Sequence, residues 1–307
     1  MAAIIETDLV EPVAFTPFAA WPGSAEARGI FVRRTPVLDP TATRTLYVHG
    51  LGGSSLNFTD LMGLRMPTSP GIAIDLPGFG YSAPATRHTL FAHAMAVIGL
   101  LDDESCGPVD LVGNSMGGAT SILVAARRPD LVRSLTLLGP ALPGQRPRVS
   151  HAPILLSGVP GVREKLRDMM LKRSPEERVD DLMQLIFFDP STMSAERRAE
   201  AVYEQGRRDG LDYTWVAFSE SAQSLASAML RRRGALMWSA LENVQAPVLG
   251  LFGTDDRLVD VGVAPKAARR IQRGRVVVMP RMGHCAQMED PVQVADLMAS
   301  FEQEFVL

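Results

Sequence analysis

Gly113-Asn114-Ser115-Met116-Gly117 is a G-x-S-x-G run between an apolar stretch at 109–112 and a helical pattern over 119–128. A serine hydroxyl attacks only when a base takes its proton, and that base needs a third group to fix its tautomer. The chain has five histidines, and His284 in Arg281-Met282-Gly283-His284 follows an apolar run that ends at Met279. Gly253-Thr254-Asp255-Asp256 follows another such run and offers two acids. The G-x-x-D spacing favours Asp256, one turn beyond the strand, and leaves Asp255 as a turn or capping residue. The catalytic set is therefore read as Ser115, Asp256 and His284.

A tetrahedral intermediate also needs donors for its oxyanion. The Met116 amide, directly after the nucleophile, is one. The second should come from His49-Gly50-Leu51-Gly52-Gly53, and the Leu51 amide is preferred, with Gly52 as the alternative. Gly50 and Gly52 would let the backbone approach a bound substrate. His49 is expected to brace this loop through a hydrogen bond. His88, His93 and His151 read as surface or packing residues.

To place these groups the chain needs strands that end where the chemistry begins. Apolar runs at 45–48, 71–75, 109–112, 134–138, 247–252 and 275–279 read as buried strands, and 30–37 as an earlier one in an antiparallel hairpin. They alternate with helical patterns at 89–103, 119–128 and 291–304. This is the signature of an α/β protein with a mainly parallel sheet and helices on both faces. From 141 to 242 strand signal gives way to helical patterns broken by prolines, an expected helical cap inserted into a core of residues 1–140 and 243–307.

Composition sets bounds. A net charge of -3 gives no electrostatic argument for nucleic acid. Cys106 and Cys285, two in all, make neither a disulfide framework nor a metal-ligand set, so a reducing, cytoplasmic setting and no metal are expected. The first residues lack a basic segment followed by an apolar run, and no stretch is long enough for an integral membrane segment. Oligomeric state is not encoded in these patterns.

With Asp75-Leu76-Pro77-Gly78-Phe79-Gly80-Tyr81-Ser82 and with Glu289 and Pro291 after the histidine, these motifs resemble the α/β-hydrolase fold over nearly the full length. The order serine, acid, histidine is the order of that fold. The resemblance implies a serine hydrolase with a small-molecule substrate and no cofactor. Gly113-Asn114-Ser115-Met116-Gly117-Gly118-Ala119-Thr120 is similar to the elbow of meta-cleavage product hydrolases, which cut carbon–carbon bonds in dienoic acids. The loop Leu51-Gly52-Gly53-Ser54-Ser55 lacks that group's Gly-Pro-Gly character, and Cys285 stands where it often has tryptophan. Carboxylic ester hydrolysis is therefore the expected activity, with carbon–carbon hydrolysis or a ligand receptor on a hydrolase scaffold as alternatives.

Within 141–242, Met169, Met170, Met183, Met193 and Met229 with Leu182, Leu185, Ile186, Phe187 and Phe188 either line an apolar pocket or pack the helices together. The basic stretch containing Arg146, Arg148, Arg163, Lys165, Arg167, Lys172 and Arg173 reads as a solvated face, with guidance of an anionic substrate as the alternative. Cys285 reads as pocket wall.

Overall fold

In the computed structural model residues 23–25, 27–105, 107–144, 156 and 161–306 are described. The strands are β1 (Gly23–Ala25), β2 (Phe31–Arg34), β3 (Thr45–Val48), β4 (Gly71–Asp75), β5 (Val109–Asn114), β6 (Val132–Leu138), β7 (Val248–Gly253) and β8 (Gly274–Met279). They form one sheet in the order β1-β2-β4-β3-β5-β6-β7-β8. β2 pairs antiparallel with both β1 and β4, and every pairing from β4 through to β8 is parallel. All positions of β3, β4, β5 and β7 are buried, as expected of strands covered on both faces. β2 is shorter than the run 30–37 predicts, because Pro36 has no amide with which to extend the ladder beyond the bond from Thr35 N to Gly71 O.

The core helices are α1 (Thr59–Arg65), α2 (Leu90–Glu104) and α3 (Met116–Arg127). Thr89 starts α2 by accepting a bond from the Ala92 amide. Between β6 and β7 come α4 (Val162–Leu171), α5 (Pro175–Ile186), α6 (Ala195–Asp209), α7 (Asp212–Met229) and α8 (Arg231–Glu242). α5 opens with a capping box between Ser174 and Glu177, behind a proline that suits the first turn. The chain closes with the short α9 (Ala264–Ala268) and α10 (Ala286–Glu289) and the longer α11 (Pro291–Phe305).

Two apolar clusters sandwich the sheet. On one face Ala119, Ile122 and Val124 of α3 pack with Val97 and Leu101 of α2 and with Met237, Trp238 and Leu241 of α8. The other joins Leu61 and Met62 of α1 to Val294, Met298 and Phe301 of α11. α8, although it lies within 141–242, is thus built into the core packing. A third cluster of Val179, Met183, Ile186, Phe187 and Cys285 seats α5 on the loop after β8. None of the helices among the described residues is long and apolar enough to cross a membrane.

Candidate active site

β5 lies inside the sheet between β3 and β6, so the turn at its end opens at the middle of the sheet's carboxyl edge, where such sheets gather their sites. Ser115 sits in that turn at φ 56°, ψ -115°, a conformation a side chain rarely adopts. The close passage of backbone on either side permits no side chain beyond glycine. A Cβ at Gly117 would fall 2.2 Å from the Val48 carbonyl oxygen, and one at Gly113 would fall 2.5 Å from that of Gly117. The Ser115 amide donates to Leu138 O at 3.0 Å and its carbonyl accepts from Ala141 N at 3.1 Å. The elbow is therefore held by its own sheet neighbour and leaves Ser115 half-buried.

The candidate acid and the candidate base meet beside it. His284 Nδ1 lies 2.7 Å from Asp256 Oδ2, with both side chains almost fully buried. Asp256 Oδ1 accepts from the amides of Leu258 and Val259, each at 2.8 Å. Burial alone would raise this carboxyl, but the neighbouring His284 and those amides outweigh it and hold Asp256 below the usual carboxylate range. An ionised carboxylate accepts hydrogen bonds and cannot donate them, so the proton of that contact belongs to His284 Nδ1. Nε2 then carries the lone pair that a general base requires. Asp255 is exposed, and its carboxylate accepts from Thr254 Oγ1 at 2.7 Å.

Asn114 links the elbow to the base. Its Nδ2 donates to Leu138 O at 2.9 Å and to His284 O at 3.2 Å, and its Oδ1 lies 3.7 Å from Cys285 Sγ. This role could have been sought in the sequence only as the variable residue before the serine. Cys285 is buried beneath α5, and burial, followed by the charges of Asp256 and Glu289, pushes its thiol up and away from thiolate. It packs in the apolar cluster with Val179, Met183, Ile186 and Phe187.

The loop after β3 approaches the serine from the other side. A Cβ at Gly50 would lie 3.1 Å from Ser115 Cβ. The Gly50 carbonyl, in the same peptide unit as the Leu51 amide, accepts from Gly53 N at 3.1 Å and from His49 Nδ1 at 2.7 Å. His49 Nε2 accepts from Leu76 N at 2.9 Å, so its proton sits on Nδ1. Complete burial holds its ring neutral, pulled down to about 3. His49 therefore braces this loop as expected. Asp75 does the same one strand away, accepting from Ser55 N at 2.6 Å and Tyr81 N at 2.8 Å.

His88 and His93 are buried packing residues rather than surface ones. His88 Nδ1 lies 3.0 Å from Glu220 and His93 Nε2 lies 2.9 Å from Ser221, both partners on α7. His151 and Cys106 lie outside the described residues, as do Arg146 and Arg148. A recess of about 400 Å³ lined by Arg87, Thr89, Glu220, Gln223, Ser224 and Arg233 holds none of the candidate catalytic groups.

Matched against known proteins, residues 46–297 fit the family model described as "Alpha/beta hydrolase family", a span that contains the elbow, the acid and the base. The chain belongs to the alpha/beta hydrolase family. It is 29% identical over 223 residues to a 2-hydroxy-6-oxononadienedioate/2-hydroxy-6-oxononatrienedioate hydrolase of Burkholderia vietnamiensis, covering 71% of each chain. It is 28% identical over 272 residues to a pimeloyl-[acyl-carrier protein] methyl ester esterase of Neisseria meningitidis, covering 87% of this chain and 78% of the relative. Among solved structures it superimposes on a bacterial membrane phospholipase A with a TM-score of 0.73 at 21% identity, over 94% of this chain and 87% of the other. This alpha/beta hydrolase is an enzyme of the hydrolase class, and its relatives carry different names, an acetyltransferase component of Pseudomonas putida among them at 29% identity over 91% of this chain and 69% of the relative.

The residues within 141–242 weighed as pocket lining separate into three groups, of which Leu185, Phe188, Met193 and Met229 are partly buried. Met183, Ile186 and Phe187 are buried in the cluster under α5, whereas Met169, Met170 and Leu182 are exposed on the outside. The described part of the basic stretch is largely paired: Arg163 with Glu164, Arg167 with Asp212, Arg173 with Glu177 and Asp181. Those pairs leave a solvated face rather than a field for an anion.

Proposed function

We propose that this hydrolase cleaves carboxylic esters of small to medium apolar substrates through an acyl-enzyme. The observation that carries the reading is the buried 2.7 Å contact from His284 Nδ1 to Asp256 Oδ2 beside a serine held at φ 56°. In this reading Ser115 Oγ attacks the carbonyl carbon while His284 Nε2 takes its proton. Asp256 keeps the imidazole in the needed tautomer and stabilises the imidazolium. The amides of Met116 and Leu51 receive the oxyanion, His284 returns the proton to the departing alcohol, and a water deprotonated by His284 releases the acid. The cap is taken as α4 to α7 with the residues that join α4 to β6; α8 belongs with the core through Met237, Trp238 and Leu241.

Carbon–carbon hydrolysis is the second reading, and the similarity to the Burkholderia vietnamiensis enzyme favours it. The glycine pair Gly52-Gly53 and Cys285 after the base support the ester reading. A fluorophosphonate label followed by p-nitrophenyl esters and a dienoic acid separates them. Ester turnover and labelling that both vanish in Ser115→Ala support the proposal. Turnover of the dienoic acid in preference to every ester would replace it with the second reading, and full activity in Ser115→Ala would remove Ser115 as nucleophile.

A further inference from the structure

The last two turns of α6 carry Glu204, Arg207 and Arg208, and Glu204 is almost fully buried between the two arginines. Glu204 Oε1 accepts from Arg208 Nε at 2.9 Å and from Arg207 Nη2 at 2.8 Å, and Oε2 accepts from Arg207 Nε at 2.8 Å. That carboxylate fixes both guanidinium planes. The donors left over point into the core. Arg208 Nη1 donates to Gly52 O at 2.6 Å and Nη2 to Gly53 O at 3.3 Å. Arg207 Nη2 reaches Gly80 O, with its guanidinium 3.8 Å above the Tyr81 ring.

A helix that merely rests on a core can use any surface acceptor. Here the acceptors are backbone carbonyls of two glycine loops, and the one from Gly50 to Gly53 runs beside the serine. The loop from Gly50 to Gly53 has little intrinsic preference for one shape, having three glycines in four residues, with Gly52 at φ +74°. Its inner half is pinned by the bond from His49 to Gly50 O. Its outer half, Gly52 and Gly53, is held by Arg208.

We propose that Arg208 is a positioning residue for the oxyanion hole. From the cap it holds the Gly52 and Gly53 carbonyls, and so keeps the Leu51 amide aimed at the developing charge. The hole is then complete only while α6 is seated, so cap seating and oxyanion stabilisation are one event. The inference rests on the hydrolase reading above. It is separate from recognition of a charged substrate, because the contacts it rests on run to the Glu204 carboxylate and to peptide oxygens.

The test uses uncharged probes on the full chain: the rate of Ser115 labelling by an uncharged fluorophosphonate, and kcat and KM for p-nitrophenyl acetate. Loss of an oxyanion donor outright costs about 10²–10³-fold, so loosening one predicts a fall of about tenfold for Arg208→Ala in both labelling rate and kcat. KM should stay within about twofold. Arg208→Lys keeps the charge beside Glu204 but can reach one carbonyl at a time. It should fall between the two, and it carries the test if Arg208→Ala does not fold. Arg198→Ala breaks a cap ion pair with Asp180 at 2.8 Å away from the loop, and should match the wild type. Wild-type labelling by Arg208→Ala, a loss expressed in KM alone, or an equal loss in Arg198→Ala would each overturn the proposal while leaving the hydrolase reading intact. Failure of the wild-type protein to label would overturn both.

Discussion

Replacing Asp256 by asparagine changes one atom and reverses the logic of the site. In the native pair the carboxylate accepts from His284 Nδ1 at 2.7 Å with one oxygen and from two amides with the other. An asparagine keeps the amide bonds by presenting its Oδ1 to Leu258 and Val259. Its NH₂ then faces His284, and the ring must answer with an acceptor at Nδ1. The proton moves to Nε2, where the lone pair for Ser115 should be. The same replacement in a triad of this logic costs about 10⁴-fold in kcat, or about 5 kcal/mol at about 1.4 kcal/mol per decade. The volume is unchanged, so little structural damage accompanies the loss. The assay is kcat/KM for p-nitrophenyl acetate, with the thermal midpoint as a check on folding and Asp255→Asn as the comparison. Asp255→Asn should stay near wild type, since that carboxylate is exposed and accepts from the neighbouring Thr254 hydroxyl. An Asp256→Asn protein within about tenfold of wild type would refute the tautomer argument, and a large loss in Asp255→Asn would move the acid to that residue.

Acid should weaken the fold through His49 and His93. Burial holds both rings neutral, each pulled down to about 3, while the unfolded chain binds these protons near pH 6.5. Their contribution is complete above about pH 6.5 and is lost as pH falls from there toward 3, by at most about 1.4 kcal/mol per pH unit for each ring. Urea unfolding at several pH values across that window reads the slope, and His93→Gln should flatten it; an unchanged slope would refute the linkage. Gly117→Ala should cost about 2–3 kcal/mol, because the new methyl meets the Val48 carbonyl at 2.2 Å and neither backbone can yield cheaply. A urea midpoint unmoved by Gly117→Ala would show that the elbow has more slack than its geometry implies.

The strands and the elbow were legible because their signals are local. Buried parallel strands are apolar throughout, and a nucleophile turn demands glycine at fixed offsets. Asp256 could be preferred over Asp255 because one residue of spacing decides which carboxyl turns inward from the strand end. The groups that hold the site together were not legible. Asn114 occupies a motif position that tolerates many residues, and its targets, Leu138 O and His284 O, are peptide oxygens with no residue type to read. Arg207 and Arg208 carry no mark in the sequence that separates them from any other basic pair on a helix, for the same reason. Helical periodicity likewise shows that a face is apolar but not what covers it. That is why the contacts of Met237, Trp238 and Leu241 on α8 with the main apolar cluster could not be read from the pattern, nor the exposure of Met169 and Met170.

The loop that carries the base has an unusual anchor. The amides of His284 and Cys285 both donate to Ile186 O, the last residue of α5, and Glu289 bridges the amides of Gly283 and Asp189, each at 2.8 Å. Arg257, next to the acid, reaches Gln184 O on the same helix. The stretch from Gln184 to Asp189 is thus tied to the loop of the candidate base although it lies in the region proposed as the cap. The cap therefore has a fixed edge and an exchangeable remainder. Directed evolution of substrate range should find room in α4 and in the outward face of α7, whereas a wholesale graft of a foreign cap would carry the histidine out of place unless this six-residue strip came with the host.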